Sequence, residues 1–342
     1  MSASAQRIIR SSAAIATITV VVGAGIAGCA PRDSAPGADG ITPVTLVLGH
    51  SEAGEGLPAE AADRFADRVS ELTDGAVTID VFPAGQLGSL YEMQETLEVG
   101  GIDIVMNSVG SLERYTDLAA IDGLPFLYDD AEHLQEVWTG DLGQEILEEI
   151  AQDSGFRLLG AMYRGPRILN STRPVESLAD LKGLKLRVPT QQTYIDTWDA
   201  LGASPTPMAF SEVFSSMESG AIDGQENPID VVRNNSLNEI APYVTDTNHI
   251  YGNFHMQFWD ERYQAMPDAQ REALETAVDE LSEWYTGETD SRANADREYL
   301  EEAGTTFYSV NIEEWRAETA SLIAAADPRV KGWAEKIAAL RG

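Results

Sequence analysis

From residue 44 onward, two hydrophobic periods alternate along the chain, and this alternation restricts the fold more than any other feature. Val44–Leu48 reads as a short extended run. Pro58 opens a helical pattern with Ala61, Ala62, Phe65, Val69 and Leu72 on one face, and Gly75 ends it. Val77, Ile79 and Val81 then alternate as a half-buried strand. Leu90–Val99 reads as a helix stopped at Gly100 and Gly101, before a strand over Ile102–Met106. Leu134–Ala151, Tyr194–Leu201 and Phe210–Ser219 continue as helices, and Phe156–Met162 and Leu184–Val188 as extended segments. Such alternation predicts an α/β architecture with largely parallel sheets. The 342 residues suit one large domain or two lobes, and 43% hydrophobic residues are enough to build a core.

The C-terminal part changes character. Pro267 to Glu302 is helical in pattern, with Leu274, Ala277, Val278, Leu281, Trp284 and Tyr285 on one stripe. Such a helix would be about 50 Å long at 1.5 Å per residue, enough to brace two lobes. The alternative is a kinked pair broken at Gly287. An internal echo also suggests two lobes. At a constant offset of 120 residues, Glu92, Glu98, Gly100, Ile102, Asp103 and Asn107 recur as Glu212, Glu218, Gly220, Ile222, Asp223 and Asn227. Each copy reads helix, glycine stop, Ile-Asp, and then an asparagine. In open α/β sheets ligands sit at strand ends, where these asparagines would fall.

The N-terminus reads as an address. Arg7 and Arg10 precede an uncharged stretch that ends in Ile26-Ala27-Gly28-Cys29. Small residues before a cysteine resemble the bacterial lipobox, so residues 1–28 are expected to be a lipoprotein signal peptide. Residues 29–43 would be the lipidated Cys29 and a tether rich in Pro and Gly. A transmembrane anchor is the alternative, because the uncharged run is nearly long enough to span. Cys29 is the only cysteine, which excludes an intrachain disulfide and a cysteine-built zinc site. The net charge of −33 and the lack of any Lys/Arg-rich run argue against nucleic acid. The same charge repels anionic solutes, so an anion site would need local arginines.

Three stretches could supply one. In Leu184–Val188, Leu184, Leu186 and Val188 share one face while Lys185 and Arg187 share the other. That second face looks either into solvent or into a cleft. In a cleft, Arg187 would offer a planar fork suited to a carboxylate. Arg164, Arg167 and Arg173 lie close together in a chain with few basic residues. Ala221–Pro228 is a dense polar run in which Asn227 can donate and accept, or a loop that bonds its own backbone.

Taken together, Leu181–Pro189 (LKGLKLRVP), Leu201–Val213 (LGASPTPMAFSEV) and Gly220–Pro228 (GAIDGQENP) resemble the substrate-binding subunit of tripartite ATP-independent (TRAP) transporters, the DctP-type family. Pro83–Gly88 (PAGQLG) and Thr247–His249 (TNH) support the resemblance, which runs from about Val44 to the C-terminus. It implies a two-lobed solute-binding-protein (Venus-flytrap) α/β fold with crossing hinge strands and a long C-terminal helix spanning both lobes. Residues 44–164 plus 253–292 would form one lobe, and 165–252 plus 293–342 the other. It implies that Arg187 clamps a ligand carboxylate, that Arg167 lies near the same acid group, and that Asn227 helps orient it. Phe210 would pack on the ligand, and Asn107 would read the rest of it, with His50 and Gln86 as further candidates. The implied partners are a small organic acid and the membrane permease subunits, at the outer face of the cytoplasmic membrane or in a periplasm.

No His-x-x-x-His pair, Gly-x-Ser-x-Gly elbow or P-loop appears, so neither catalysis, a cofactor nor a metal is expected. A binding protein of an ATP-driven importer remains the alternative class. Among ligands, sugar acids such as hexuronates are favoured because His50, Gln86 and Asn107 suit hydroxyl readout and no third cleft arginine is evident. C4-dicarboxylates, sialic acids and 2-oxo acids are the alternatives.

Overall fold

The computed structural model describes residues 41–341. The signal peptide, the lipidation site at Cys29 and nearly all of the expected tether lie outside the described residues. In chain order the elements are β1 (Val44–Gly49), α1 (Leu57–Leu72), β2 (Val77–Phe82), α2 (Leu90–Val99), β3 (Ile104–Asn107), α3 (Ala131–Trp138), α4 (Asp141–Ser154), β4 (Phe156–Pro166), β5 (Ile168–Ser171), β6 (Lys185–Val188), α5 (Gln192–Ala200), β7 (Ser204–Pro207), α6 (Val213–Glu218), β8 (Gly224–Asn227) and α7 (Ile229–Asn234). After them come β9 (Tyr243–Asp246), β10 (Tyr251–Trp259), α8 (Asp260–Gln264), α9 (Asp268–Glu302), β11 (Thr306–Ser309), α10 (Ile312–Ala325) and α11 (Pro328–Ala339).

The strands form two sheets, ordered β2-β1-β3-β10-β4 and β11-β9-β5-β8-β6-β7. In the first, β1 runs parallel to β2 and β3, and β10 is antiparallel to β3 and β4. In the second, β6 runs parallel to β7 and β8, and β5 is antiparallel to β8 and β9. The five strands β2-β1-β3-β10-β4 therefore share one topology with β7-β6-β8-β5-β9. Each sheet is covered on both faces. The first packs α1 and α9 on one side and α2, α3, α4 and α11 on the other. The second buries Trp198 and Trp315 against one face and Val213, Met217 and Val232 against the other. These are two three-layer α/β lobes.

The residues of the 120-residue echo do the same work in each copy. Glu92 and Glu212 both accept from the backbone N–H three residues earlier, at Ser89 and Ala209. Gly100 and Gly220 both end their helix with positive φ, 83° and 70°. Asp103 and Asp223 both accept from a backbone N–H of the neighbouring parallel strand, at Val47 and Lys185 (2.8 and 2.9 Å). Asn107 and Asn227 are the last residues of β3 and β8.

Two segments carry the chain between the sheets. β4 continues through Arg167 into β5, and β9 returns through residues 247–250 into β10. The crossings are tied together where the Arg167 N–H donates to the Ile250 carbonyl (2.9 Å). Helix α9 lies across both lobes. Leu274, Leu281 and Tyr285 enter the core of the first, and Leu300 enters that of the second.

Some helices differ from the sequence pattern. Leu134–Ala151 is two helices, because the chain turns at Thr139 and Gly140. The turn is tight enough that a Cβ on Gly143 would lie 2.6 Å from the Trp138 carbonyl. Phe210–Ser219 starts as a 3-10 turn over Phe210–Glu212 before α6. Helix α9 is continuous through Gly287, so the kinked pair does not form. The neighbouring turns bury Tyr285 and Thr289, and their packing outweighs the roughly 1 kcal/mol that one glycine costs a helix.

This gives a test. A Cβ on Gly287 would meet nothing within 4 Å. Gly287→Ala should therefore stabilise the protein by about 1 kcal/mol in urea denaturation. A destabilised variant would mean that the helix is not straight through this point in solution.

Candidate functional site

The carboxyl ends of the parallel strands in both sheets face one cavity of about 470 Å³. Ser51 and Glu52 follow β1, Asn107 ends β3, Pro189 and Thr190 follow β6, Met208 and Phe210 follow β7, and Asn227 ends β8. This placement follows from parallel pairing, which directs the loops after the strands to one end of a sheet.

Arg187 enters the cavity from β6. Three residues of this strand are buried, including Arg187 on the face the sequence left open between solvent and cleft. At Arg187 that face looks into the cleft, while Lys185 on the same face stays exposed. Its Nε and Nη2 donate to the Met208 carbonyl at 3.1 and 2.8 Å. Its guanidinium carbon lies 5.7 Å from the Phe210 ring centroid. No carboxylate pairs with it among the described residues. Burial pushes its pKa down to about 10, and the nearby Arg167 charge adds to that against the favourable pull of Glu226. The group is still charged at neutral pH, and its charge is uncompensated by direct contact. A buried guanidinium without a carboxylate partner is chemically suited to an anion.

Arg167 also lines the cavity, but it is already paired. Its Nε and Nη2 donate to both carboxylate oxygens of Glu226 (2.5 and 2.8 Å), and Nη2 also donates to the Glu226 carbonyl (2.7 Å). Glu226 is fully buried. His249 contacts the same carboxylate at 3.2 Å and meets the Thr247 hydroxyl at 2.9 Å. Burial alone would raise the Glu226 pKa. The charge of Arg167 and the hydrogen bonds from His249 and Arg167 outweigh it and hold the acid at about 2. Glu226 was legible only as part of a polar run. No periodicity marked it, because β8 is a central strand whose four residues are all buried and mostly polar.

Asn227 and Asn107 face the cavity from opposite sheets. The Asn227 Nδ2 donates to the Gln225 side chain (2.7 Å), and the Asn107 Oδ1 accepts from the Ser108 N–H (2.8 Å). Tyr91 and Thr190 bridge the two lobes beside the cavity with a 2.6 Å hydroxyl contact. A third arginine, Arg164, lines it as well, which the sequence did not make evident. Arg164 sits next to Glu52, 3.6 Å away.

The structure does not bring His50 or Gln86 to the cavity walls. His50 is fully buried behind Ser51 and Glu52, and neither ring nitrogen has a hydrogen-bond partner. The turn over Pro83–Leu87 exposes the Gln86 side chain to solvent, while Ala84 and Gly85 face the cavity. Among the described residues, no group of three or more His, Cys, Asp or Glu is placed to hold a metal ion.

A larger cavity of about 770 Å³ lies behind the crossing strands, against the middle of α9. Each of its four arginines has a carboxylate within 4 Å: Arg233 has Asp296, Arg297 has Asp246, Arg292 has Glu60, and Arg164, which also lines the smaller cavity, has Glu52. It therefore lacks the uncompensated cation that marks the smaller one.

The chain matches the family of bacterial extracellular solute-binding proteins, family 7, over residues 48–328, and it belongs to that family. It is 36% identical over 274 residues to a solute-binding protein of Roseobacter denitrificans, covering 80% of this chain and 84% of that one. It is 31% identical over 242 residues to the sialic acid-binding periplasmic protein of Vibrio cholerae, covering 71% and 75%. A crystal structure of a TRAP periplasmic solute-binding protein from Roseobacter denitrificans, with bound L-galactonate, is similar with a TM-score of 0.82 at 34% identity. The match covers 87% of this chain and 99% of that one. One from Xanthobacter autotrophicus, with bound β-D-galacturonate, has a TM-score of 0.83 at 26% identity, covering 86% and 100%. The chain is thus an extracytoplasmic solute-binding subunit of the TRAP class, whose members capture small organic acids for membrane permease components. Among the described residues no helix is long and apolar enough to cross a membrane.

The buried pair carries a prediction. Glu226 has a pKa depressed below its ordinary 4.5, so its contribution to stability is complete above about pH 4.5 and is lost as pH falls toward 2. Glu226→Gln leaves Arg167 buried beside a neutral amide and should cost roughly 3–5 kcal/mol. Urea titrations at pH 7 and pH 3 should show a smaller acid loss in the variant than in the wild type. Equal losses would mean that the pair does not govern acid stability.

Proposed function

We propose that this chain captures a six-carbon sugar acid, an aldonate or hexuronate, by closure of its two lobes, and hands it to a TRAP permease. The observation that carries this reading is Arg187: a buried, charged fork with no carboxylate partner, facing a cavity rich in hydroxyls and amides. The ligand carboxylate would take a bidentate bond from Arg187. Arg167 would add field and a donor, Asn227 an amide, Phe210 an apolar surface, and Asn107 a contact to the hydroxyl-bearing end. The volume falls within the range usual for small-ligand sites. Relatives that bind L-galactonate and β-D-galacturonate support the choice of ligand class.

The lobes in this reading are residues 44–164 plus 253–292 and residues 165–252 plus 293–342, with α11 packing back on the first. Closed lobes are favoured by contacts that a ligand makes only in that state. Cys29 would carry the lipid that holds the protein at the membrane surface, where two acyl chains would be needed for a stable anchor.

Calorimetry with L-galactonate and D-galacturonate tests the clamp. Arg187→Ala should weaken binding by about 2–5 kcal/mol, and Arg187→Lys should still bind poorly, because an ammonium lacks the planar fork. Near-normal affinity of Arg187→Ala would remove the residue from the site. The anchor has its own test. Cys29→Ser should move the protein to the soluble fraction or leave its precursor uncleaved. A variant that fractionates and migrates like the wild type would refute lipidation.

A further inference from the structure

Glu52 and Arg164 form a second polar group in the same cavity, contributed by the lobe opposite Arg187. Glu52 follows the end of β1, and Arg164 stands near the end of β4. Their side chains are only 15% and 11% exposed. They are nevertheless poorly satisfied. The separation of 3.6 Å between Nη2 and Oε1 is too long for a hydrogen bond. The Arg164 Nε is buried without any partner. The Arg164 guanidinium lies over the Phe254 ring, 3.9 Å from its centroid, which holds its plane in place. Unsatisfied donors and acceptors held this rigidly in a cleft are costly unless a ligand completes them.

The chemistry that completes them is specific. A carboxylate such as Glu52 only accepts hydrogen bonds, so its partner must bring a donor. A hydroxyl can donate to Glu52 and accept from Arg164. A second carboxylate could accept from Arg164, but it would meet the charge of Glu52 at close range in a cleft that screens poorly.

We propose that Glu52 and Arg164 read the hydroxyl-bearing end of the ligand and exclude a second carboxylate there. The site would then take monocarboxylate sugar acids and reject the corresponding aldaric diacids. This rests on Arg187 clamping the single carboxylate from the other lobe. It assigns Glu52 as the residue that sets the monoacid preference and Arg164 as the donor that positions the hydroxyl.

The experiment compares L-galactonate with galactarate, which differ only at the terminal carbon, by calorimetry on the full-length protein. The wild type should prefer the monoacid by roughly 100-fold or more, as expected for a site that opposes a like charge. Glu52→Gln should lose roughly tenfold in monoacid affinity and narrow the preference by at least as much, because the amide both donates and accepts. Glu52→Asp keeps the charge but withdraws it, so it should bind the monoacid more weakly and still reject the diacid. Thermal melting of each variant without ligand separates a folding defect from a change in preference. A Glu52→Gln variant that keeps the wild-type ratio overturns the proposal, as does a wild type that binds galactarate as tightly as L-galactonate. The two readings fail differently. Loss of both acids' binding in Arg187→Ala with an unchanged ratio in Glu52→Gln leaves the clamp standing and removes Glu52. A wild type that binds neither of these acids nor D-galacturonate removes both.

Discussion

The bond between Arg167 and Glu226 sits where the chain passes from one lobe to the other, and much of the site depends on it. Burying either charge alone would cost several kcal/mol, so each residue fixes the other. Arg167 holds the crossing between β4 and β5, and its backbone N–H ties that crossing to the returning one at Ile250. Glu226 belongs to β8, the central strand that also presents Asn227 to the cavity. His249 closes the network from the returning segment. A single polar cluster therefore holds both crossings and one ligand-facing strand.

The pair also leaves Arg187 as the buried arginine of the cavity without a carboxylate partner. The chain carries a net charge of −33, which opposes the approach of any anion. With Arg167 neutralised by Glu226, the cavity keeps Arg187 as its buried cation without a direct carboxylate partner. Site and surface thus act on different length scales. The surface field is screened by salt over about 8 Å at physiological ionic strength, whereas contacts within the cleft are screened much less. A strongly acidic protein can in this way hold an acid.

The two lobes build their halves of the cavity from the same local design. A helix stopped by a left-handed glycine, an aspartate bonded to the next strand's backbone, and an asparagine at the strand end occur once in each sheet. What differs is what each lobe adds: Arg187 from the second, Glu52 and Arg164 from the first. A ligand held between unlike walls makes contacts in the closed state that neither lobe offers alone.

The sequence by itself determined the alternation of elements, the long bracing helix and the echo of 120 residues, and the family resemblance of its motifs pointed to Arg187, Arg167, Asn227, Phe210 and Asn107, which all line the cavity. The elements are legible because they rest on periods of 2 and 3.6 and on short-range glycine and proline signals, which act within a few residues. Only the tertiary structure decided which way Arg187 points, since a strand's two faces look alike until one of them meets another lobe. It alone paired Arg167 with Glu226 across 59 residues and set Glu52 beside Arg164 across more than a hundred. It also withdrew His50 and Gln86 from the walls, although both stand in segments that border the cavity. Side-chain direction, burial and charge pairing depend on what the fold brings close, and no local pattern records that.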